Sequence, residues 1–121
     1  MSIGTEKVAE EVKHQISEVL LRDMSGFTTE AGLGLVTVTR VIVSRDLKNS
    51  KIYLSFIGNK NSPEVCVEKI NFKSKQIRMH LAHRIRLKFT PEIVFYYDDT
   101  IEYASRIDEL IKEIHKGEND K

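Results

Sequence analysis

The residues with the clearest chemical potential lie between Glu68 and Glu92. Lys69, Lys73, Lys75, Arg78, Arg86 and Lys88 fall there, and no Asp or Glu interrupts them. The formal net charge of the whole chain is only +1, so this positive charge is segregated and not excess. Its counterweights sit at the ends: Glu6, Glu10, Glu11 and Glu18 early, and Asp98, Asp99, Glu102, Asp108, Glu109 and Glu113 late. A basic stripe on a rigid element suits a polyanion, because each lysine or arginine that meets a phosphate releases condensed counterions. The bland alternative is a solvated helix surface. An ordinary exposed helix intersperses Glu with Lys, and this one does not. The layout predicts docking on nucleic acid by one side only.

Other chemistries fit less well. His80 and His83 are three residues apart and share one side of a helix, with Cys66 not far away in sequence, but no third and fourth ligand follow at zinc spacing. No Gly-x-Ser-x-Gly, phosphate-binding loop or dinucleotide fingerprint occurs, and Gly32-Leu33-Gly34 precedes a strand instead of following one. Cys66, the one cysteine, reads as a small core residue, and an intrachain disulfide is impossible. Asp98 and Asp99 read as a strand end followed by a helix cap. Tyr53, Tyr96 and Tyr97 have rings suited to stacking on bases, although packing and edge covering are the commoner roles of sheet aromatics. No enzyme, cofactor or metal is expected.

The elements that must carry these residues follow from periodicity. Residues 5–24 are predicted as an amphipathic helix, with Val8, Val12, Ile16, Val19 and Leu20 on one stripe and Glu10, Lys13, Ser17 and Arg22 facing away. Ser25-Gly26 is expected to stop it, and residues 27–34 to form a loop. Residues 35–44 are rich in β-branched side chains and predict a strand; residues 50–57 alternate apolar and polar and predict its antiparallel partner. Ser62-Pro63-Glu64 is a helix start with cap, Pro at the first position and an acid in the first turn. That helix is predicted to reach Phe72, and a second to run from Ser74 to Leu87 with Ile77, Leu81 and Ile85 facing the sheet. Lys75, Met79, Arg78, Ala82 and Arg86 are expected on the wet side. Residues 92–97 predict a third strand after Pro91. Asp99 caps a last helix, with Glu102 as capping-box partner and Tyr103, Ile107, Leu110, Ile111 and Ile114 as its apolar face; Gly117 is expected to end it. Residues 1–117 make one expected domain, with 118–121 a short polar tail. No apolar run approaches the roughly 20 residues of a membrane helix, the opening residues lack the core of a secretory signal, and the expected address is cytoplasmic.

The order is α-β-β-α-α-β plus a C-terminal helix, an α+β fold of two layers: a three-stranded sheet with helices on one face. This is the topology of a type II KH domain. Such RNA-binding domains clamp nucleotides with a Gly-x-x-Gly loop between two helices. Here that joint reads Phe72-Lys73-Ser74-Lys75, without glycine, so the usual single-strand clamp is not expected.

Several segments, in order, resemble the ribosome-binding factor A family. Val8-Ala9-Glu10-Glu11 opens the first helix in the family's manner. Val43-Ser44-Arg45-Asp46-Leu47 with the strand Ser50-Lys51-Ile52-Tyr53-Leu54-Ser55-Phe56 is similar to its hairpin. Ile77-Arg78, Arg86-Leu87-Lys88-Phe89-Thr90-Pro91-Glu92-Ile93 and Phe95-Tyr96-Tyr97-Asp98 resemble its most recognisable block. The resemblance covers residues 5–112. It implies a non-catalytic, KH-like factor, expected as a monomer, that binds the immature small ribosomal subunit near the decoding region. It also implies a role in late rRNA maturation and in growth in the cold, and release aided by an assembly GTPase or another factor. The family's Ala-x-Gly kink is replaced here by Lys73-Ser74-Lys75. Ser74 is expected to cap the second helix, and the two lysines read either as phosphate contacts or as a solvated bend. The expected rRNA contacts are Lys69, Lys73, Lys75, Arg78, Arg86 and Lys88, assisted by Arg45 and Lys48 at the hairpin tip. Replacing Lys73, Lys75 and Arg78 by Glu is expected to abolish binding and leave the fold intact. The rival expectation is a protein–protein adaptor of the same fold that does not touch RNA.

Overall fold

The computed structural model describes residues 3–119, without the side chains of residues 3, 101–103 and 115–119. Helix α1 (Ile3–Glu18) runs into a π-helical turn over Val19–Asp23. The extra residue of that turn shifts the phase of the apolar stripe, so Val19, Leu20 and Met24 are buried while Leu21 points out.

Helix α2 (Ser25–Glu30) replaces most of the expected loop. The residues that looked like a stop begin a new helix: the Thr28 hydroxyl donates to the Ser25 carbonyl at 3.1 Å. Its end is a Schellman turn. The Leu33 N–H reaches the Thr28 carbonyl and the Gly32 N–H the Thr29 carbonyl, with Gly32 at φ 67°.

Strands β1 (Leu35–Val43) and β2 (Asn49–Ile57) pair antiparallel, and β3 (Glu92–Tyr97) lies parallel to β2, giving a mixed sheet in the order β1-β2-β3. Helices α3 (Pro63–Phe72) and α4 (Ser74–Arg84) connect β2 to β3, as a parallel crossover requires. The inner face of the sheet carries Val38, Ile52, Leu54, Ile93 and Phe95. These close on Val12 and Ile16 of α1, Cys66 and Ile70 of α3, and Ile77 and Leu81 of α4. The Cys66 thiol is fully buried and faces the Asn61 carbonyl at 3.7 Å; burial pushes its pKa up, which suits an inert core thiol.

Two ends differ from expectation. Helix α4 stops at Arg84, not Leu87: Ile85 turns extended (φ −109°, ψ 136°), still buries its side chain as expected, and the chain heads back to the sheet edge, where Arg78 bonds the Thr90 and Pro91 carbonyls. The last helix, α5 (Thr100–Asn119), passes through Gly117. Asp98, not Asp99, makes the bond at its start: Asp98 Oδ1 accepts from the Thr100 N–H at 3.0 Å. The Glu102 and Tyr103 side chains lie outside the described residues. Ile107, Leu110, Ile111 and Ile114 of the expected apolar face are all exposed. Among the described residues no helix is long and apolar enough to cross a membrane.

Candidate nucleic-acid interface

The α3–α4 joint needs no glycine. Lys73 ends α3 and precedes α4 at φ −97°, ψ 11°, a conformation open to any L-residue. The Lys73 N–H donates to the Ile70 carbonyl and the Lys73 carbonyl accepts from the Ile77 N–H, so the backbone carries the bend. Ser74 does not cap through its side chain; it is the first residue inside α4.

Two arginines set the rotation of α4. Arg84 donates through Nε and a terminal nitrogen to the two oxygens of Asp23 at 2.8 and 2.9 Å, tying the helix end to the π-helical turn. The bond from Arg84 is the main reason the Asp23 carboxyl sits below its usual pKa. His80 also faces Asp23, at 3.8 Å. On the other side Arg78 donates to the Thr90 carbonyl and, at 3.1 Å, to the Pro91 carbonyl, and pairs with Glu92 at 3.4 Å. It fastens the extended segment 85–91 to the helix. A glutamate at Arg78 would lose those bonds, so the triple replacement described above does not leave the fold untouched.

With α4 held in this way, a groove of about 560 Å³ opens between it and residues 88–93. Lys75 and Lys88 stand on opposite walls, and Met79 and Phe89 supply apolar surface; Phe89 is 73% exposed. Among the described residues the one carboxylate lining it is Glu92, which already faces Arg78. The hairpin tip joins the same end, because the Glu92 N–H donates to the Lys48 carbonyl at 2.8 Å. Arg45 and Lys48 are exposed in that turn. Asp46 shapes it by accepting from the Ser44 hydroxyl and the Lys48 N–H, bonds that lower its pKa, while Leu47 takes φ 61°. Arg86 is exposed on the segment between.

Lys69 and Lys73 lie elsewhere. Lys69 donates to the Ala31 carbonyl at 3.1 Å, and Lys73 sits 5.8 Å over the Phe27 ring. Around them Phe27, Val65 and Phe72 make an apolar patch, with Phe72 87% exposed. The eight expected cations therefore divide into an exposed set (Lys75, Lys88, Arg45, Lys48, Arg86), in which Lys88 lies 5.7 Å over the Phe89 ring, and a half-buried set in contact with other elements (Arg78, Lys69, Lys73). Among the described residues no three of His, Cys, Asp and Glu gather as a metal site.

Sequence reasoning missed Asn71. Its side-chain amide donates to the Phe95 carbonyl at 3.0 Å and accepts from the Phe95 N–H at 2.9 Å, filling the place of a neighbouring strand at the β3 edge. A polar residue amid the apolar positions of α3 is the signal that marks it. Phe89 was also missed as groove lining, and nothing short of the segment's extended course reveals it.

Residues 4–111 match the family model described as Ribosome-binding factor A. The chain is 36% identical over 114 residues to ribosome-binding factor A of Natranaerobius thermophilus, covering 94% of this chain and 84% of that one. It is 35% identical to the Geobacter metallireducens protein of the same name, covering 96% and 97%. Among solved structures it is similar to a Thermotoga maritima protein (TM-score 0.63, 27% identity, 84% of this chain and 93% of that one). The Thermus thermophilus ribosome-binding factor A, as fitted into a map of its complex with the 30S subunit, shares the fold (TM-score 0.57, 21% identity, 74% and 90%).

Proposed function

The chain belongs to the ribosome-binding factor A family, and from that membership we propose that it binds the small ribosomal subunit through rRNA phosphates at the α4 groove and the hairpin tip. The observation that carries the reading is the pair Lys75 and Lys88 across the groove, where the Glu92 carboxylate is already matched by Arg78. Arg45, Lys48 and Arg86 extend the charge beyond it. Contact is by phosphate and shape, because the joint lacks the glycine loop that clamps single strands in other KH domains. The role is non-catalytic: the protein acts as a monomer, one domain over residues 1–117, on immature small subunits in the cytoplasm. It aids late rRNA maturation, supports growth in the cold, and leaves with the help of an assembly GTPase. Family relatives by name and a structural relative seen with the 30S subunit support this reading.

One observation favours the adaptor reading: exposed Phe72 with Phe27 and Val65, and the open apolar stripe of α5. Co-sedimentation with free small subunits across a salt series separates the two. Selective association that weakens steeply with salt supports rRNA binding. Association indifferent to salt supports an apolar protein contact, and no association by folded protein refutes the proposal.

A further inference from the structure

Among the described residues the buried helix side chains close on the inner face of the sheet, while Ile42, Lys51, Val94 and Tyr96 of the outer face are exposed. At its centre one row crosses all three strands: Arg40 pairs with Tyr53, and Tyr53 with Tyr96. The Arg40 guanidinium lies 4.2 Å over the Tyr53 ring, and the Tyr53 and Tyr96 rings stack with centroids 5.5 Å apart at 28°. This row depends on an irregularity. The register shifts between Val38 and Arg40, so Thr39 is an extra residue, and without it Thr39 would stand opposite Tyr53. The Thr39 hydroxyl, freed from the row, donates to Asp98 at 2.6 Å.

The row is a stack with one open end. β3 is an edge strand, so no strand supplies a further ring beyond Tyr96, which is 39% exposed. The adjacent row is Ile42, Lys51 and Val94, all exposed. Lys51 stands about 7 Å along the strand from Tyr53, the span of two residues. Neither row holds an acid. Glu92 and Asp98 flank them at the two ends of β3, and Asp98 is bonded to Thr39 and Thr100. An aromatic stack that ends in the open, beside a lysine, fits an unpaired nucleotide: a base continues the stack and its phosphate meets the cation.

We propose that this outer face is a second RNA contact, in which an unpaired nucleobase stacks on Tyr96 as the next member of the row Arg40–Tyr53–Tyr96 and Lys51 receives its phosphate. The inference rests on the rRNA-binding reading and extends it from phosphates on the helical side to an unpaired base on the sheet.

The test uses the full chain and a hexamer of adenylate RNA. Amide shifts are mapped by NMR, and affinity is read from tyrosine fluorescence, which four tyrosines and no tryptophan make usable. The expected result is perturbation at Lys51, Tyr53, Val94 and Tyr96. Tyr96→Leu should weaken binding by about 5- to 150-fold, the range for one stacked base, and Tyr96→Phe should restore it. Shifts confined to Lys75, Arg78 and Lys88 overturn the proposal and leave the groove reading standing. No shifts, with small-subunit co-sedimentation intact, overturn the second contact alone; no shifts and no co-sedimentation overturn both. Changes at the same amides that grow with protein concentration without RNA make the face a self-contact and also overturn it.

Discussion

Removing Lys75 and Lys88 together should change how binding responds to salt more tellingly than how tightly it binds at one salt. Five cations form the exposed set: Arg45, Lys48, Lys75, Arg86 and Lys88. Each phosphate neutralised adds about 0.7 to 0.9 to the slope of log K against log salt, so the set predicts a slope of about −3.5 to −4.5. Between about 50 and 200 mM salt the wild-type affinity should therefore fall by roughly two to three decades. The double replacement Lys75→Gln/Lys88→Gln removes about 1.4 to 1.8 of that slope, leaving a fall of roughly one and a half decades over the same range. Glutamine keeps the chain length and polarity, and neither lysine is among the clamps that hold α4, so thermal melting should coincide with wild type. The assay is co-sedimentation with free small subunits at fixed magnesium over a potassium chloride series. Lys7→Gln, on the exposed side of α1, is the control and should leave the slope alone. A double variant with the wild-type slope, whatever its affinity, would refute the placement of phosphates in the groove.

Arg78→Met should cost about 1 to 3 kcal/mol in a urea titration, since it removes charge-assisted bonds to the Thr90 and Pro91 carbonyls; an unchanged midpoint would show the clamp to be idle. Gly34→Ala should be worse, about 3 kcal/mol or more. Gly34 has φ 69°, and an added Cβ would sit 2.2 Å from the Ile57 carbonyl oxygen, so near-wild-type melting would contradict the turn. Asn71→Leu should cost about 1 to 3 kcal/mol by stranding the Phe95 N–H and carbonyl at the sheet edge, and hydrogen exchange at Phe95 should quicken. Asp98 should make stability acid-sensitive. Its carboxyl is held low by the Thr100 side chain first and the Thr39 hydroxyl next, so its folded pKa lies below the unfolded value of about 3.9. That contribution is whole above the unfolded pKa and drains away as pH falls through the folded one, so Asp98→Asn should flatten the acid limb; identical acid limbs for both proteins would count against it.

The folded elements were mostly legible because their signals are local. Alternating Ile52, Leu54 and Phe56, the Ser62-Pro63 start and the β-branched run 35–43 each encode their element within a few residues. The errors fall where a distant contact overrides local preference. Residues 85–87 continue a helical pattern that would also bury Ile85, yet the backbone turns extended there and Arg78 draws the following segment back through the Thr90 and Pro91 carbonyls. Residues 25–30 look like a stop, but the helix they form ends on the Gly32 turn and packs Phe27 against the core.

The candidate site divides in the same manner. Charge segregation needed no structure: the absence of any acid between Glu68 and Glu92 is a property of the chain as written, and so is the missing glycine at the joint. Which cations face outward was decided only by folding. A lysine or arginine reads the same in sequence whether its donors meet water or a carbonyl, and Lys69 and Arg78 found carbonyls far along the chain, at Ala31, Thr90 and Pro91. The row of Arg40, Tyr53 and Tyr96 is likewise a tertiary fact. Its members come from three strands, and one extra residue at Thr39 brings them into register, because strand pairing, not sequence spacing, determines which side chains meet on a sheet.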